Sequence, residues 1–323
     1  MSKKFWKFLC IFICILFVGS NAYWVVTRPK PVTLNFAYQT GFHYGPSIIM
    51  DEFDLIEKNS YGRYKGSYFL ITGGTVINEA IVAGSIDFAQ MGTAPAITAV
   101  DKGMGTKILA SFGAKEHELW TWREDIQSIA DFKEGDIVSA VALNSIEHVG
   151  LIKAYADIGK TAEEATAISR FFSPADAYQM MEEGTIDAHF ASVPYTLEYA
   201  KDPRYHMIAT DSSIWGMSLA GGALMGKTED PEVADIVLQS FKEAIDWIEA
   251  NPEEASRIIG KVFKYDEAKA WELWQASGIT WGAEIGLGSI KTQADVMYDI
   301  GLLSRELTQE ELLFPQAIQM IEE

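Results

Sequence analysis

Residues 73–97 read GGTVINEAIVAGSIDFAQMGTAPAI. A glycine pair precedes an apolar helical segment, a short strand pattern follows at 86–90, and a second turn of small residues around Gly92 leads into another helical segment. Alternating strands and helices of this kind predict an α/β fold with mainly parallel sheets, whose turns leave the carboxyl ends of the strands. We therefore expect these turns to form one wall of a ligand cleft. The alternative is that the glycines only form tight turns between elements.

The same alternation extends along most of the chain. Strands are predicted at 32–38, 68–71, 86–90, 107–112, 137–142, 167–172, 186–191 and 205–209. Helices are predicted at 47–59, 76–83, 95–100, 146–158, 174–183 and 195–201, and then at 231–249, from 252, at 266–277 and at 293–303. The pattern predicts two α/β halves followed by a helical segment.

The first residues differ in character from the rest. Three lysines precede the apolar run Phe8–Val18, and small residues stand at 20–22. This is the pattern of a secretory signal peptide over 1–22, which predicts an exported, periplasmic protein. The alternative is an uncleaved anchor, because 23–26 could extend the apolar span. Both cysteines lie inside this segment, so its removal would exclude disulfides and thiolate sites from the remainder.

Composition excludes several classes of function. The formal charge is −19 and no basic run follows residue 30, which argues against nucleic acid as a partner. The sequence shows no nucleophile elbow, no metal-spaced His/Cys cluster and no phosphate loop, and the histidines at 43, 117, 148, 189 and 206 are scattered. We therefore predict a protein that is not an enzyme and uses neither cofactor nor metal.

Four stretches together resemble one family. They are residues 73–97, LNSIEHVGLIKAYADIGK, FFSPADAYQMMEEGTIDAHFASVPY and DPEVADIVLQSFKEAIDWIEANPEEA. Their order and spacing are similar to those of nitrate/taurine/sulfonate-type solute-binding proteins of ABC importers, with a thiamine-pyrimidine-precursor-type branch, over nearly all of 32–280. The chain departs from the family pattern at DFKEGDIV, at Leu143-Asn144 and in HFASVPY. The last two departures lie at pocket positions, so the family's ligands do not transfer.

The resemblance implies a two-lobe, type II periplasmic-binding-protein fold that closes on its ligand. Lobe one is expected at 32–120 plus 217–323 and lobe two at 123–212, with crossovers near 120–124 and 210–217. It further implies a monomer that captures a small molecule and delivers it to a membrane permease with its ATPase. The alternatives are a solute receptor for a membrane sensor and a pyrimidine-biosynthesis-type enzyme of the same superfamily.

The strand-end turns nominate the residues that touch the ligand. Phe42, Tyr44, Tyr195 and Trp215 could stack on a flat ring, and Glu147 favours a ligand with N–H donors. Stacking favours a small organic solute, such as a sulfonate, an aromatic or heterocyclic acid or a pyrimidine-like compound, over an inorganic anion. For an acid, Arg123 and Arg170 are the expected charge partners. The full set is Gln39, Phe42, His43, Tyr44, Gly74, Thr75, Thr93, Ala94, Asn144, Ser145, Glu147, His148, Ser173, Ser192, Tyr195 and Trp215.

Overall fold

A computed structural model of the protein describes residues 30–113, 116–217 and 219–322. The segment predicted to be a signal peptide, 1–22, lies outside the described residues. The strands are β1 Val32–Tyr38, β2 Tyr64–Leu70, β3 Phe88–Met91, β4 Lys107–Phe112, β5 Glu118–Thr121, β6 Val138–Ala140, β7 Ser169–Phe171, β8 Ala188–Ala191, β9 His206–Thr210 and β10 Gly222–Gly226.

Helices cover the strands on both sides and form most of the carboxyl-terminal part. The α-helices are α1 Gly45–Glu52, α2 Leu55–Asn59, α3 Gly74–Val82, α4 Thr93–Asp101, α5 Ile146–Asp157, α6 Ala162–Ile168, α7 Pro174–Glu182, α8 Tyr195–Lys201, α9 Asp211–Trp215, α10 Pro231–Ala250, α11 Pro252–Val262, α12 Glu267–Ser277, α13 Leu287–Asp299, α14 Gln309–Leu312 and α15 Pro315–Glu322. Short 3-10 helices lie at Phe42–Tyr44 and Ile129–Asp131. In the part of the chain that the structure describes, no helix combines the length and the apolar character that crossing a membrane requires.

Two five-stranded sheets organise the molecule. Their strand orders are β2-β1-β3-β10-β4 and β7-β6-β8-β5-β9. In each sheet the first three strands pair in parallel, and one inserted strand, β10 or β5, runs antiparallel to both of its neighbours. The prediction of an α/β fold with mainly parallel sheets is confirmed.

Aromatic side chains fix the register of the first sheet. Phe36 on β1 pairs with Tyr68 on β2 and with Phe88 on β3. The Phe36 ring stacks on both, with centroid separations of 4.8 Å to Tyr68 and 5.6 Å to Phe88. Such same-face pairs across neighbouring strands stabilise one register over its alternatives, and this ladder leads into the cluster of buried side chains beneath α1, α10 and α11.

In each sheet, one aspartate forms the same pair of hydrogen bonds to the backbone beside it. Oδ2 of Asp87 accepts the Asn35 N–H at 2.7 Å, and the Asp87 N–H donates to the Asn35 carbonyl at 2.8 Å. In the second sheet Oδ2 of Asp187 accepts the Ile137 N–H at 2.7 Å, and the Asp187 N–H donates to the Ile137 carbonyl at 2.9 Å. Each aspartate therefore ties the start of β3 or β8 to the middle strand of the three parallel strands, β1 or β6.

The chain passes from the first sheet to the second between Phe112 and Glu118 and returns between Thr210 and Gly222. The first passage precedes the 120–124 expected from the sequence, because residues 118–121 already form β5 inside the second sheet. The two passages touch closely: a Cβ built on Gly221 would lie 1.3 Å from the carbonyl oxygen of Gly113. Only glycine therefore fits at residue 221.

Three local predictions were wrong or incomplete. The strand predicted at 167–172 begins only at Ser169, because a capping box between Thr161 and Glu164 starts helix α6 just before it. Strand β10 was described from the sequence only as a short apolar segment, and β5 was not predicted. Both are four or five residues long, too short to show a period of their own.

Candidate functional site

A cavity of about 380 Å³ lies where the carboxyl ends of the parallel strands of both sheets face each other. Turns before α3, α4, α5, α7 and α8 line it, so several helix N-termini point toward it. Backbone N–H groups at such termini are unpaired within the helix and carry a partial positive charge. Of the residues nominated from sequence, the cavity brings together Gln39, Phe42, His43, Tyr44, Gly74, Thr75, Asn144, Ser145, Glu147, Ser173, Ser192 and Tyr195.

Each glycine of the pair at 73–74 is required for a different physical reason. Gly73 precedes α3 with φ at +95°, a backbone conformation that side chains rarely adopt. A Cβ on Gly74 would lie 2.5 Å from the ring of Pro95, so a side chain there would collide with the next turn. Both glycines and Pro95 line the cavity. The pair thus forms the tight turn and also lets two turns pack closely as one wall.

Aromatic and amide side chains build the rest of the first-sheet wall. Tyr44 is buried, and its hydroxyl donates to Oε1 of Gln39 at 2.8 Å. The same amide oxygen accepts the Gly92 N–H at 3.3 Å. The His43 ring lies over Tyr44, with centroids 4.2 Å apart, and Phe42 stacks on Tyr265 at 6.1 Å. This wall is therefore aromatic and held in place by hydrogen bonds.

The second-sheet wall is more polar. Helix α5 begins after Ser145, whose hydroxyl accepts the His148 N–H, and Glu147 lies in its first turn. Ser192 and Tyr195 come from the turn between β8 and α8. Burial raises the pKa of the Tyr195 phenol, so the hydroxyl stays protonated at neutral pH. This wall offers hydroxyl groups and one carboxylate to a ligand.

Three titratable side chains contact one another in a row that begins at this wall and continues behind it. His117 lines the cavity, and its Nδ1 lies 2.7 Å from Oδ2 of Asp211 on α9. The same Oδ2 atom accepts the backbone N–H of His117 at 2.9 Å. Nε2 of His117 lies 3.5 Å from Oε1 of Glu147, and both carboxylates are almost fully buried. Because His117 and Asp211 belong to the two passages between the sheets, Glu147 is connected to both of them.

Four nominated residues lie outside the cavity lining. Thr93 is buried and its hydroxyl donates to Oε1 of Gln293 at 2.7 Å, and Ala94 is buried in the core. His148 accepts the Asn144 N–H at Nδ1 and contacts the Thr166 hydroxyl through Nε2. Trp215 packs in the core, where Gly150 on α5 leaves room beside its indole. The turns that hold Thr93, Ala94 and His148 contribute to the cavity, but all four side chains face into the protein.

The neutral state of His148 follows from its burial. The side chain is 1 % exposed, and desolvation lowers its pKa to about 4. A histidine with this pKa carries no charge at neutral pH, so His148 is not a cationic partner for an anionic ligand. Its ring hydrogen bonds instead hold the first turn of α5.

The two arginines expected to pair with an acidic ligand also lie away from the cavity. Arg123 forms ion pairs with Asp125, Asp136 and Asp187 at 2.7–3.0 Å, and these hydrogen bonds raise its pKa. Arg170 donates to the backbone carbonyls of Ala167 and Ser169. Arg123 instead stabilises the start of the second sheet.

Sequence reasoning missed part of the lining. The largest omissions are His117 in the first passage and an apolar and aromatic group from α11 and α12 and their flanking turns. His117 and its partner Asp211 are 94 residues apart, so no local spacing could have linked them. The apolar and aromatic residues of this group are Phe263, Tyr265, Leu273 and Ile279, and Ser277 lines the cavity beside them.

Solved structures with this fold are numerous. The alkanesulfonate-binding protein SsuA from Xanthomonas axonopodis pv. citri, bound to MOPS, is similar with a TM-score of 0.70 and 18 % identity, over 89 % of this chain and 99 % of that one. The periplasmic aliphatic sulphonate-binding protein SsuA from Escherichia coli gives 0.66 and 20 %, over 89 % and 92 %. The periplasmic nitrate-binding protein NrtA from Synechocystis PCC 6803 gives 0.67 and 14 %, over 91 % and 89 %.

These likenesses confirm the predicted fold, the two-lobe architecture of nitrate- and sulfonate-type binding proteins. No protein-family model and no curated protein sequence matches the chain. At these identities the fold is shared while the lining of the cavity is free to differ.

Proposed function

We propose that the protein is the extracytoplasmic substrate-binding component of an ABC importer. It captures a small organic solute between its two lobes and delivers it to a membrane permease, without catalysing a reaction. The observation that carries this proposal is the cavity itself. Two sheets of the same strand pattern turn the carboxyl ends of their strands toward one volume of about 380 Å³, where ligands of open α/β sheets bind.

The solved proteins with this fold support the role. Those from Xanthomonas axonopodis and Escherichia coli bind sulfonates, and that from Synechocystis binds nitrate. The apolar run Phe8–Val18 after a basic start supports export to the periplasm. The lobes of the proposal are the segments on either side of the two passages, with residues 123–212 forming most of lobe two. The chain acts as a monomer in this proposal.

The solute is a small organic molecule with a flat part. Tyr44, His43 and Tyr195 line the cavity with ring faces and edges, which suit an aromatic or heterocyclic body. A volume of about 380 Å³ is of the size that holds a compound of one or two rings.

A thermal-shift screen tests the proposal. The library holds nitrate, alkyl and aryl sulfonates, aromatic carboxylates, pyrimidines and aromatic amidines. A ligand at a hundred times its Kd adds about 2.7 kcal/mol to the free energy of unfolding, which raises the Tm by a few degrees. We expect at least one organic compound to do so. The proposed function is contradicted if none of these compounds raises the Tm. It is also contradicted if the protein converts a bound compound to product.

A further inference from the structure

Side-chain charge in the cavity is of one sign. Among the lining residues that the structure describes, the charged side chain is Glu147, and none is lysine or arginine. The ring of His117 lies between the carboxyl groups of Glu147 and Asp211. Two carboxyl groups therefore flank one imidazole, so acidic side chains outnumber basic ones in this cluster.

The position of Glu147 adds a second observation. The residue is 6 % exposed, so water compensates its charge poorly. Its negative charge also acts on the opposite wall, where burial and Glu147 together raise the pKa of the Tyr44 phenol. The hydroxyl of Tyr44 is already committed to Gln39. Glu147 lines the cavity, and a carboxylate has about four lone-pair sites, so it can accept hydrogen bonds beyond its contact with His117.

We propose that Glu147 is the specificity-determining residue and that the solute carries a cationic or N–H-donating nitrogen group, such as an amidinium. This inference rests on the proposed function and names its solute class. The nitrogen group donates to Glu147, while His117, anchored to Asp211 where the two passages meet, fixes the carboxylate. The flat body of the solute lies against Tyr44 and His43. A bare anion such as nitrate would bring like charge against Glu147 and is rejected.

Isothermal titration with three isosteric probes tests this assignment. Benzamidinium, benzamide and benzoate share a ring and a planar substituent and differ in charge and in N–H donors. We expect benzamidinium to bind at least about 30-fold more tightly than benzoate, the ratio typical of a charge-assisted hydrogen bond in a buried site. Nitrate serves as the compact anion.

Three variants assign the preference to one side chain. Glu147→Gln keeps the shape but removes the charge, and we expect it to abolish the preference for benzamidinium. Glu163→Gln makes the same change in the first turn of another helix of the same lobe, at an exposed site outside the cavity lining, and it should retain the full preference. Glu147→Asp retains the sign of the charge and should retain a reduced preference, which guards against a simple loss of folding.

The outcomes separate the two proposals. Tight binding of benzoate or nitrate, or a preference for benzamidinium that survives in Glu147→Gln, overturns the assignment of Glu147 and leaves solute binding intact. Absence of binding by all four probes also overturns the assignment. If the wider library is silent as well, the proposed function fails with it.

Discussion

Residues 84–95 and 184–195 read GSIDFAQMGTAP and GTIDAHFASVPY. Both begin with glycine, and both place isoleucine and aspartate just before the third strand of a sheet. Asp87 and Asp187 make the same pair of hydrogen bonds to the neighbouring strand. Through this part, the two segments perform the same structural task in the two halves of the molecule.

The segments diverge where they leave the strand. The first continues with Gly92 and Thr93, and the hydroxyl of Thr93 is turned into the core. The second continues with Ser192 and reaches Tyr195, and both line the cavity. Hydrogen bonding at the strand start therefore constrains the framework in both lobes, while the turn after the strand sets the chemistry. The turns of lobe one pack closely and shape the site, and lobe two supplies its carboxylate and most of its serine hydroxyls.

The largest expected effect comes from the shared aspartates. Asp87→Ala and Asp187→Ala each leave a backbone N–H without its charged acceptor, at a cost of about 2–3 kcal/mol in the free energy of unfolding. Urea denaturation of both variants measures it. Asp87→Asn retains an acceptor oxygen and should lose less. A loss of less than about 0.5 kcal/mol in the free energy of unfolding for either alanine variant would contradict the claim that the two aspartates have the same structural role.

A second prediction concerns His189, which stands where the first segment has Ala89. Burial lowers the pKa of His189 to about 3, and its Nδ1 lies 2.9 Å from the Tyr199 hydroxyl. Because the folded state disfavours the charged ring, the unfolded chain binds more protons below its pKa of about 6.5. Stability from this residue is therefore complete above pH 6.5 and falls as the pH drops toward 3, by roughly 2–3 kcal/mol at pH 4.5.

His189→Gln should remove this part of the pH dependence. The measurement is the free energy of unfolding of both proteins at pH 8, 7, 5.5 and 4.5. Their difference should stay constant between pH 8 and 7 and then change steadily in favour of the variant. A difference that is the same at all four values would show that the neutral ring of His189 contributes nothing to the acid sensitivity of lobe two.

A third prediction sharpens the claim that lobe one supplies shape. Gly74→Ala places a Cβ 2.5 Å from the Pro95 ring, which should cost about 1–3 kcal/mol through overpacking. Gly288→Ala is the matched control, because Gly288 lies in the first turn of α13 and a Cβ there meets nothing within 4 Å. Denaturant unfolding should show the control unchanged or more stable by up to about 1 kcal/mol. Equal stability of the two variants would contradict the close packing of these turns.

Sequence reasoning predicted the framework better than the side chains of the site. The alternation of strands and helices is local, so β1, β4 and α8 were predicted with the bounds that the structure shows. The inserted strands were missed because a strand that joins a sheet from the other half of the chain has no local signal. His148 was nominated from the turn before its helix and Trp215 from its place near a crossover, but helix geometry directs both side chains into the core. The contact of His117 with Asp211 depends on how the two passages meet.

Blocking the cavity is the most direct test of the account. Ser192→Trp fills the volume from the polar wall, and Ser85→Trp adds the same bulk at an exposed turn outside the cavity lining. Each protein is titrated calorimetrically with the compound that gives the largest thermal shift on the unmodified chain. We expect one bound molecule per chain for the unmodified protein and for Ser85→Trp, and no binding to Ser192→Trp. Unchanged affinity in Ser192→Trp would contradict it, since the solute would then bind elsewhere.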